Sequence, residues 1–181
     1  MAEKQYTLAI LVSNHSGVLM RVVGLFSRRG YNIDSLSVGV TENPAISRIT
    51  IVVTGDRAVV EQIKKQVEKL VDVIKVYEMT RHGSLQRELV LVKVRTTENT
   101  RTSVVELAEI FKAKVLDVTP STVSLQLTGG LDKISSFLEL MNPYGIAEMV
   151  RTGITALERG SRSLNDIGYE DDNVPDFQTE A

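Results

Sequence analysis

The chain has 181 residues, with 21 Lys and Arg against 23 Asp and Glu for a net charge of −2, 43% hydrophobic residues and no cysteine. The missing cysteines exclude disulfides, thiol catalysis and thiolate metal sites, and the near-neutral charge gives no electrostatic footprint for nucleic acid. No apolar run approaches the ~18 residues of a spanning helix, and MAEKQY lacks the basic-then-apolar order of a signal peptide, so one domain or two small ones in the cytoplasm are expected.

Tyr6, Leu8, Ile10 and Val12 alternate at the two-residue period of a strand, and Val18, Leu19, Val22, Val23, Leu25 and Phe26 follow the helical period. Between them lies Ser13-Asn14-His15-Ser16-Gly17. Gly30 is a good residue to end that helix, and Asn32-Ile33 leads into the next strand. Residues 34–40 and 47–54 read as a hairpin around Glu42-Asn43-Pro44-Ala45. Asp56 can cap a helix striped by Val59, Val60, Ile63, Val67 and Leu70, and residues 71–79 return as a strand. The order βαββαβ is the ferredoxin-like split motif, with both helices expected on one face of an antiparallel sheet.

Residues 81–87 have no apolar period and read as a linker. Strands at 88–95, 115–119, 122–128 and 146–150, with helices striped by Val104, Val105, Leu107, Ala108 and Phe111 and by Ile134, Phe137, Leu138 and Met141, then repeat the plan. The fold class is therefore α+β, two βαββαβ domains at 1–80 and 88–160. A tail at 161–181, acidic and poor in large apolar residues beyond Leu164, is expected to be flexible.

The turn at Asn14 to Gly17 carries the chemistry. Glycine lets a ligand approach the backbone, and the first N–H groups of a helix lack intrahelical acceptors and sit at the positive end of its dipole. A carboxylate fits there. Asn14 adds a carbonyl oxygen that can accept from an ammonium group and an amide that can donate elsewhere, which together suit a free amino acid. Each residue also has a plainer reading: Asn14 can satisfy turn backbone groups, Gly17 can be a tight-turn glycine, and Asn32 tolerates the left-handed conformations common after a helix. The second junction, Thr96 to Arg101, has no glycine and offers no equally open site.

His15 and Ser16 are adjacent in a turn and lack the spatial meeting and orienting acid of a nucleophile and base, so no catalytic residue is assigned. Two isolated histidines do not make a metal site, and His82 is expected to face solvent. Arg28-Arg29 and Lys64-Lys65 read as solvated helix faces without the aromatic interleaving of a nucleic-acid surface.

Asn14-His15-Ser16-Gly17-Val18-Leu19, followed by GLFSRRGYNI and later by LVDVIKVYEMT, RELVLVKV and KVLDVTPS, resembles the regulatory small subunit of acetolactate synthase, whose N-terminal part is an ACT domain. The resemblance runs to about Arg159. Many ACT domains have proline where this chain has Ser16; serine can cap a helix, so the departure costs little. What the resemblance implies is a chain without chemistry of its own and with no cofactor, which activates a catalytic large subunit and confers feedback inhibition by valine in branched-chain amino acid biosynthesis. That partner, a transferase, would use thiamine diphosphate, Mg2+ and FAD. The resemblance also implies a homodimer through the ACT domains, with the effector between two copies: Asn14, Ser16, Gly17, Val18 and Leu19 hold the carboxylate and backbone, while Asn32 and Ile33 complete the pocket from across the dimer. The second domain would serve assembly and contact with the catalytic subunit. A freestanding ACT-domain sensor or co-regulator with another partner is the alternative; neither nucleic acid nor a membrane is expected as a partner.

Overall fold

The computed structural model describes residues 4–161, 163 and 164. Its contacts separate two units, one running to Leu85 and resuming at Ile154, the other Gln86–Gly153.

The first unit follows the order β1 (Lys4–Ser13), α1 (Val18–Arg29), β2 (Ser35–Val40), β3 (Ile46–Gly55), α2 (Arg57–Val67) and β4 (Val73–Met79). Its antiparallel sheet runs β2-β3-β1-β4, the ferredoxin-like order. Leu8, Ile10 and Val12 of β1 meet Val22, Leu25 and Phe26 of α1 and Val60, Ile63 and Val67 of α2 in one core. Both helices end on basic pairs, Arg28-Arg29 and Lys64-Lys65, where cations complement the negative end of the dipole. Asp56 occupies the N-cap position of α2, as its sequence position suggests, but without a side-chain capping bond. That helix closes at Val67, so Leu70 packs on the core from the following turn and Val71 is exposed ahead of β4.

The second unit repeats the plan with β5 (Ser84–Arg95), α3 (Glu98–Ile110), β6 (Lys114–Val118), β7 (Thr122–Gly129), α4 (Leu131–Met141), a 3-10 turn at Asn142–Tyr144 and β8 (Ile146–Arg151). Its strands run β6-β7-β5-β8, the same order. Val90, Val92 and Val94 pack against Val104 and Ala108 of α3 and Ile134, Phe137 and Met141 of α4.

The boundaries differ from the expected ones in two places. Of the expected linker 81–87, residues from Ser84 onward already belong to β5, because backbone pairing tolerates the polar run Ser84 to Arg87. The expected second domain, 88–160, loses its last residues to the first unit. There Ile154, Ala156 and Leu164 are buried, a short strand β9 (Thr155–Glu158) forms, and Arg48 donates to the Ala156 carbonyl. Lys75 donates to the Leu164 carbonyl at 3.2 Å, so residues 154–161, 163 and 164 cover the sheet face opposite the helices and β1 is buried on both sides. This position pushes the Lys75 ammonium below its ordinary pKa through burial. The flexible-tail reading of 161–181 falls almost wholly outside the described residues. Among those described, no helix is long and apolar enough to cross a membrane.

Candidate functional site

Gly17 is the N-cap of α1 and adopts φ 85°, ψ −13°, the left-handed region that glycine enters without penalty. No side chain caps the helix, so the expected capping role does not fall to Ser16, which precedes the cap position. The first-turn amides are therefore available to an anion. A Cβ built on Gly17 would meet only the Arg21 guanidinium, 3.9 Å away, which leaves the approach open and puts a positive charge beside it.

Asn14 is fixed from three sides. Its backbone N–H donates to the Ala45 carbonyl at 2.7 Å, its Nδ2 to the Pro44 carbonyl at 2.7 Å, and its Oδ1 accepts from Ser47 Oγ at 2.9 Å. The turn-satisfying reading of Asn14 thus holds, and the side chain ties the β1–α1 turn to the β2–β3 hairpin. One amide hydrogen and one oxygen lone pair remain, so the exposed amide keeps the capacity to bind a zwitterion.

Val18 is buried in the core, which limits its part in any site to its backbone N–H. Leu19, by contrast, is exposed beside the turn. Asn32 and Ile33 stand at the other end of α1, past the left-handed Gly30 that closes it. Twelve helical residues separate the two ends, about 18 Å at ~1.5 Å per residue. One protomer therefore gathers Asn14, Ser16, Gly17, Leu19 and the Val18 amide but not Asn32 or Ile33. Within the chain, Asn32 donates to Asp34 Oδ1 at 3.0 Å, Asp34 accepts from Thr54 at 2.6 Å, and Ile33 packs on the core.

Sequence reasoning missed Asp72. This residue, 8% exposed, lies just before β4, where its carboxylate binds His15 Nε2 at 2.9 Å and Arg21, and its carbonyl accepts the Ser13 N–H at 2.9 Å. The sequence held a signal: a lone acid inside the apolar run Leu70 to Val76. Asp72 anchors the His15 imidazole and the Arg21 guanidinium, and Arg21 is held where it can also face an incoming carboxylate. Asp72→Asn is expected to lower stability by about 1–2 kcal/mol, because both partner side chains are half-exposed and rehydrate once freed. Urea unfolding checks this; an unchanged midpoint would show that the network carries no energy.

Two concavities lie away from this turn. On the sheet face opposite the helices, a cavity of about 330 Å³ is lined by Leu11, Arg48, Glu42, Glu158 and Leu164. Burial there pulls the Arg48 guanidinium below its ordinary pKa, against the pull of Glu158 and Glu42. A second cavity, about 450 Å³, opens at the β5–α3 junction, where no open site was expected. No cluster of His, Asp and Glu suited to a metal occurs among the described residues.

Two family models match the chain: an acetohydroxyacid synthase small-subunit-like ACT domain over residues 8–75 and the small subunit of acetolactate synthase over 87–160. The chain is 49% identical to a probable acetolactate synthase small subunit of Archaeoglobus fulgidus, over 87% of its own length and 99% of the relative's. It is 44% identical to the acetolactate synthase small subunit of Mycobacterium leprae, over 90% and 96% of the two chains. Among solved structures, the acetolactate synthase small subunit of Thermotoga maritima superimposes with a TM-score of 0.80 at 37% identity, covering 88% of this chain and 99% of that one.

Proposed function

The chain belongs to the acetolactate synthase small-subunit family, and from that premise we propose that it is a non-catalytic cytoplasmic regulatory subunit that activates a catalytic large subunit and confers feedback inhibition by valine. The large subunit would supply all the chemistry, with thiamine diphosphate, Mg2+ and FAD. One observation carries the regulatory reading: the uncapped, left-handed Gly17 turn with Arg21 beside it offers unpaired amides and positive charge to a carboxylate.

Two of the seven expected pocket residues, Asn32 and Ile33, stand at the far end of α1, so the complete site needs a second copy. The sheet edge supports such pairing. In β2, Val38 and Val40 are 46% and 60% exposed and Gly39 meets nothing, an apolar edge strand open to another strand. An effector shared by two chains binds the paired arrangement better than the separated one and shifts the assembly toward it. Feedback needs about 1–3 kcal/mol of such coupling. Selection of valine over leucine would rest on pocket volume, and one methylene is worth about 1–3 kcal/mol, so a weaker response to leucine and isoleucine is expected.

Acetolactate formation by the large subunit, assayed with and without this chain across a valine titration, tests the proposal. Stimulation that valine reverses supports it; a rate indifferent to the chain overturns it. Val38→Glu places like charges across a paired edge and is expected to weaken self-association by about tenfold or more. Sedimentation equilibrium reads this directly, and a mass distribution identical to wild type would exclude the β2 edge.

A further inference from the structure

The junction between β5 and α3 has the same backbone frame as the turn at Gly17. In the first unit Ser13 and Asn14 donate to the carbonyls of Asp72 and Ala45, at 2.9 and 2.7 Å. In the second, Arg95 and Thr96 donate to the carbonyls of Gly145 and Ser121, at 2.8 and 2.9 Å. Each acceptor immediately precedes the corresponding strand, so Thr96 is the counterpart of Asn14.

What fills the frame is different. Thr96 is 6% exposed, and its hydroxyl oxygen has no hydrogen-bond partner among the described residues. A buried hydroxyl left without a partner is unfavourable, and native proteins keep few of them. Thr96 lines the cavity of about 450 Å³ together with Arg95, Thr97, Thr100, Ser121 and Tyr144. That volume falls within the range of about 300–1,000 Å³ typical of small-molecule sites. Its lining has one charged side chain, Arg95, and no carboxylate; Glu98, in the first turn of α3, is not part of it.

Nearby, Arg101 donates to the Pro120 carbonyl at 2.7 Å and keeps a buried Nε without a partner, a second unspent donor with a fixed positive charge. The end of α3 itself is partly closed by a capping box, in which the Thr100 N–H donates to the Thr97 side chain and the Thr97 N–H donates to Thr100 Oγ1 at 2.8 Å. Hydroxyls and a guanidinium, more than helix amides, are thus on offer. Such a set suits an oxyanion, whose several lone pairs accept from multiple hydroxyl donors.

We propose that the second unit holds a ligand site of its own at this junction, which takes a small metabolite bearing a phosphate or carboxylate group, with Arg95 as its main contact and the Thr96 hydroxyl, shut off from solvent in the free chain, rotating about χ1 to meet it. The site neither uses nor requires the Gly17 turn.

Calorimetric titration of the full chain with inorganic phosphate and, separately, with pyruvate tests this. Saturable binding that persists in Gly17→Asp assigns the phosphoryl class when the probe is phosphate and the carboxylate class when it is pyruvate, and the absence of both overturns the site. Thr96→Val, nearly the same shape, and Arg95→Gln are each expected to weaken the bound probe by about tenfold or more, the scale of one hydrogen bond to a charged group. Gly17→Asp is expected to leave that binding unchanged, which separates failure here from failure of the valine reading. Free Thr96→Val is expected to melt no lower than wild type, since it removes an unsatisfied hydroxyl. A lower melting temperature, or probe binding that survives Thr96→Val, would overturn the assignment.

Discussion

Gly17→Asp is expected to weaken valine binding by about a hundredfold while leaving activation of the catalytic subunit largely intact. Two effects act at one atom. The left-handed φ of 85° penalises any side chain by about 1–2 kcal/mol, although aspartate is among the residues that enter this region most readily, so the turn persists. The new carboxylate then stands where the effector's carboxylate is proposed to bind. Two like charges about 4 Å apart repel by ~1 kcal/mol in water and ~4 kcal/mol at the effective dielectric of a protein surface, so an affinity loss on the order of a hundredfold follows. Arg21 amplifies the loss: its guanidinium lies 3.9 Å from the new Cβ and would be captured by the variant's own carboxylate. Gly17→Ala separates strain from charge and is expected to lose less than about tenfold. Calorimetry with valine decides, and equal affinities for Gly17→Asp and wild type would remove the carboxylate from this turn.

Much of this turn could be read from the chain because its determinants are local. Alternation in β1, the helical stripe of α1 and a glycine at each end of α1 are short-range signals that the structure reproduces. Asp72 was invisible for the opposite reason: it reaches His15 and Arg21 from more than fifty residues away, and no local periodicity records such a pairing. β9 escaped because four residues, Thr155–Glu158, are too few to establish a period. The cavity at Thr96 escaped because threonines ahead of a helix look like caps. Thr97 and Thr100 do pair in that way, and only the three-dimensional frame reveals that Thr96 beside them is left over. Val18 lies in the core, as the helical stripe that predicts α1 implies, so any part it takes in a site falls to its backbone N–H.

The two units use one backbone frame for different ends. In the first, the residue after the strand is an asparagine tied to the hairpin, and the helix opens on a glycine that exposes its amides. In the second, a threonine takes the asparagine's place and a capping pair closes the helix, so the proposed recognition would rest on side chains and not on backbone amides. Repetition of the fold therefore does not imply repetition of the ligand.

Removing Arg151 is expected to have the largest effect on stability in the second unit. Glu88 is 4% exposed, and both of its oxygens are taken by Arg151, from Nε at 2.8 Å and from the terminal nitrogen at 2.6 Å. The pairing raises the guanidinium pKa above its ordinary value, chiefly through the side-chain hydrogen bond. Arg151→Ala leaves a carboxylate in a site with little water, a loss of about 3–5 kcal/mol by comparison with other broken buried pairs. Glu88→Ala is expected to lose far less, because Arg151 is partly exposed and its charge can be hydrated. The double change Glu88→Leu with Arg151→Leu should recover most of the deficit, since an apolar pair needs no partner. Urea unfolding of the four proteins reads this asymmetry. Equal losses for the two single substitutions would mean that Glu88 is better hydrated than its burial implies.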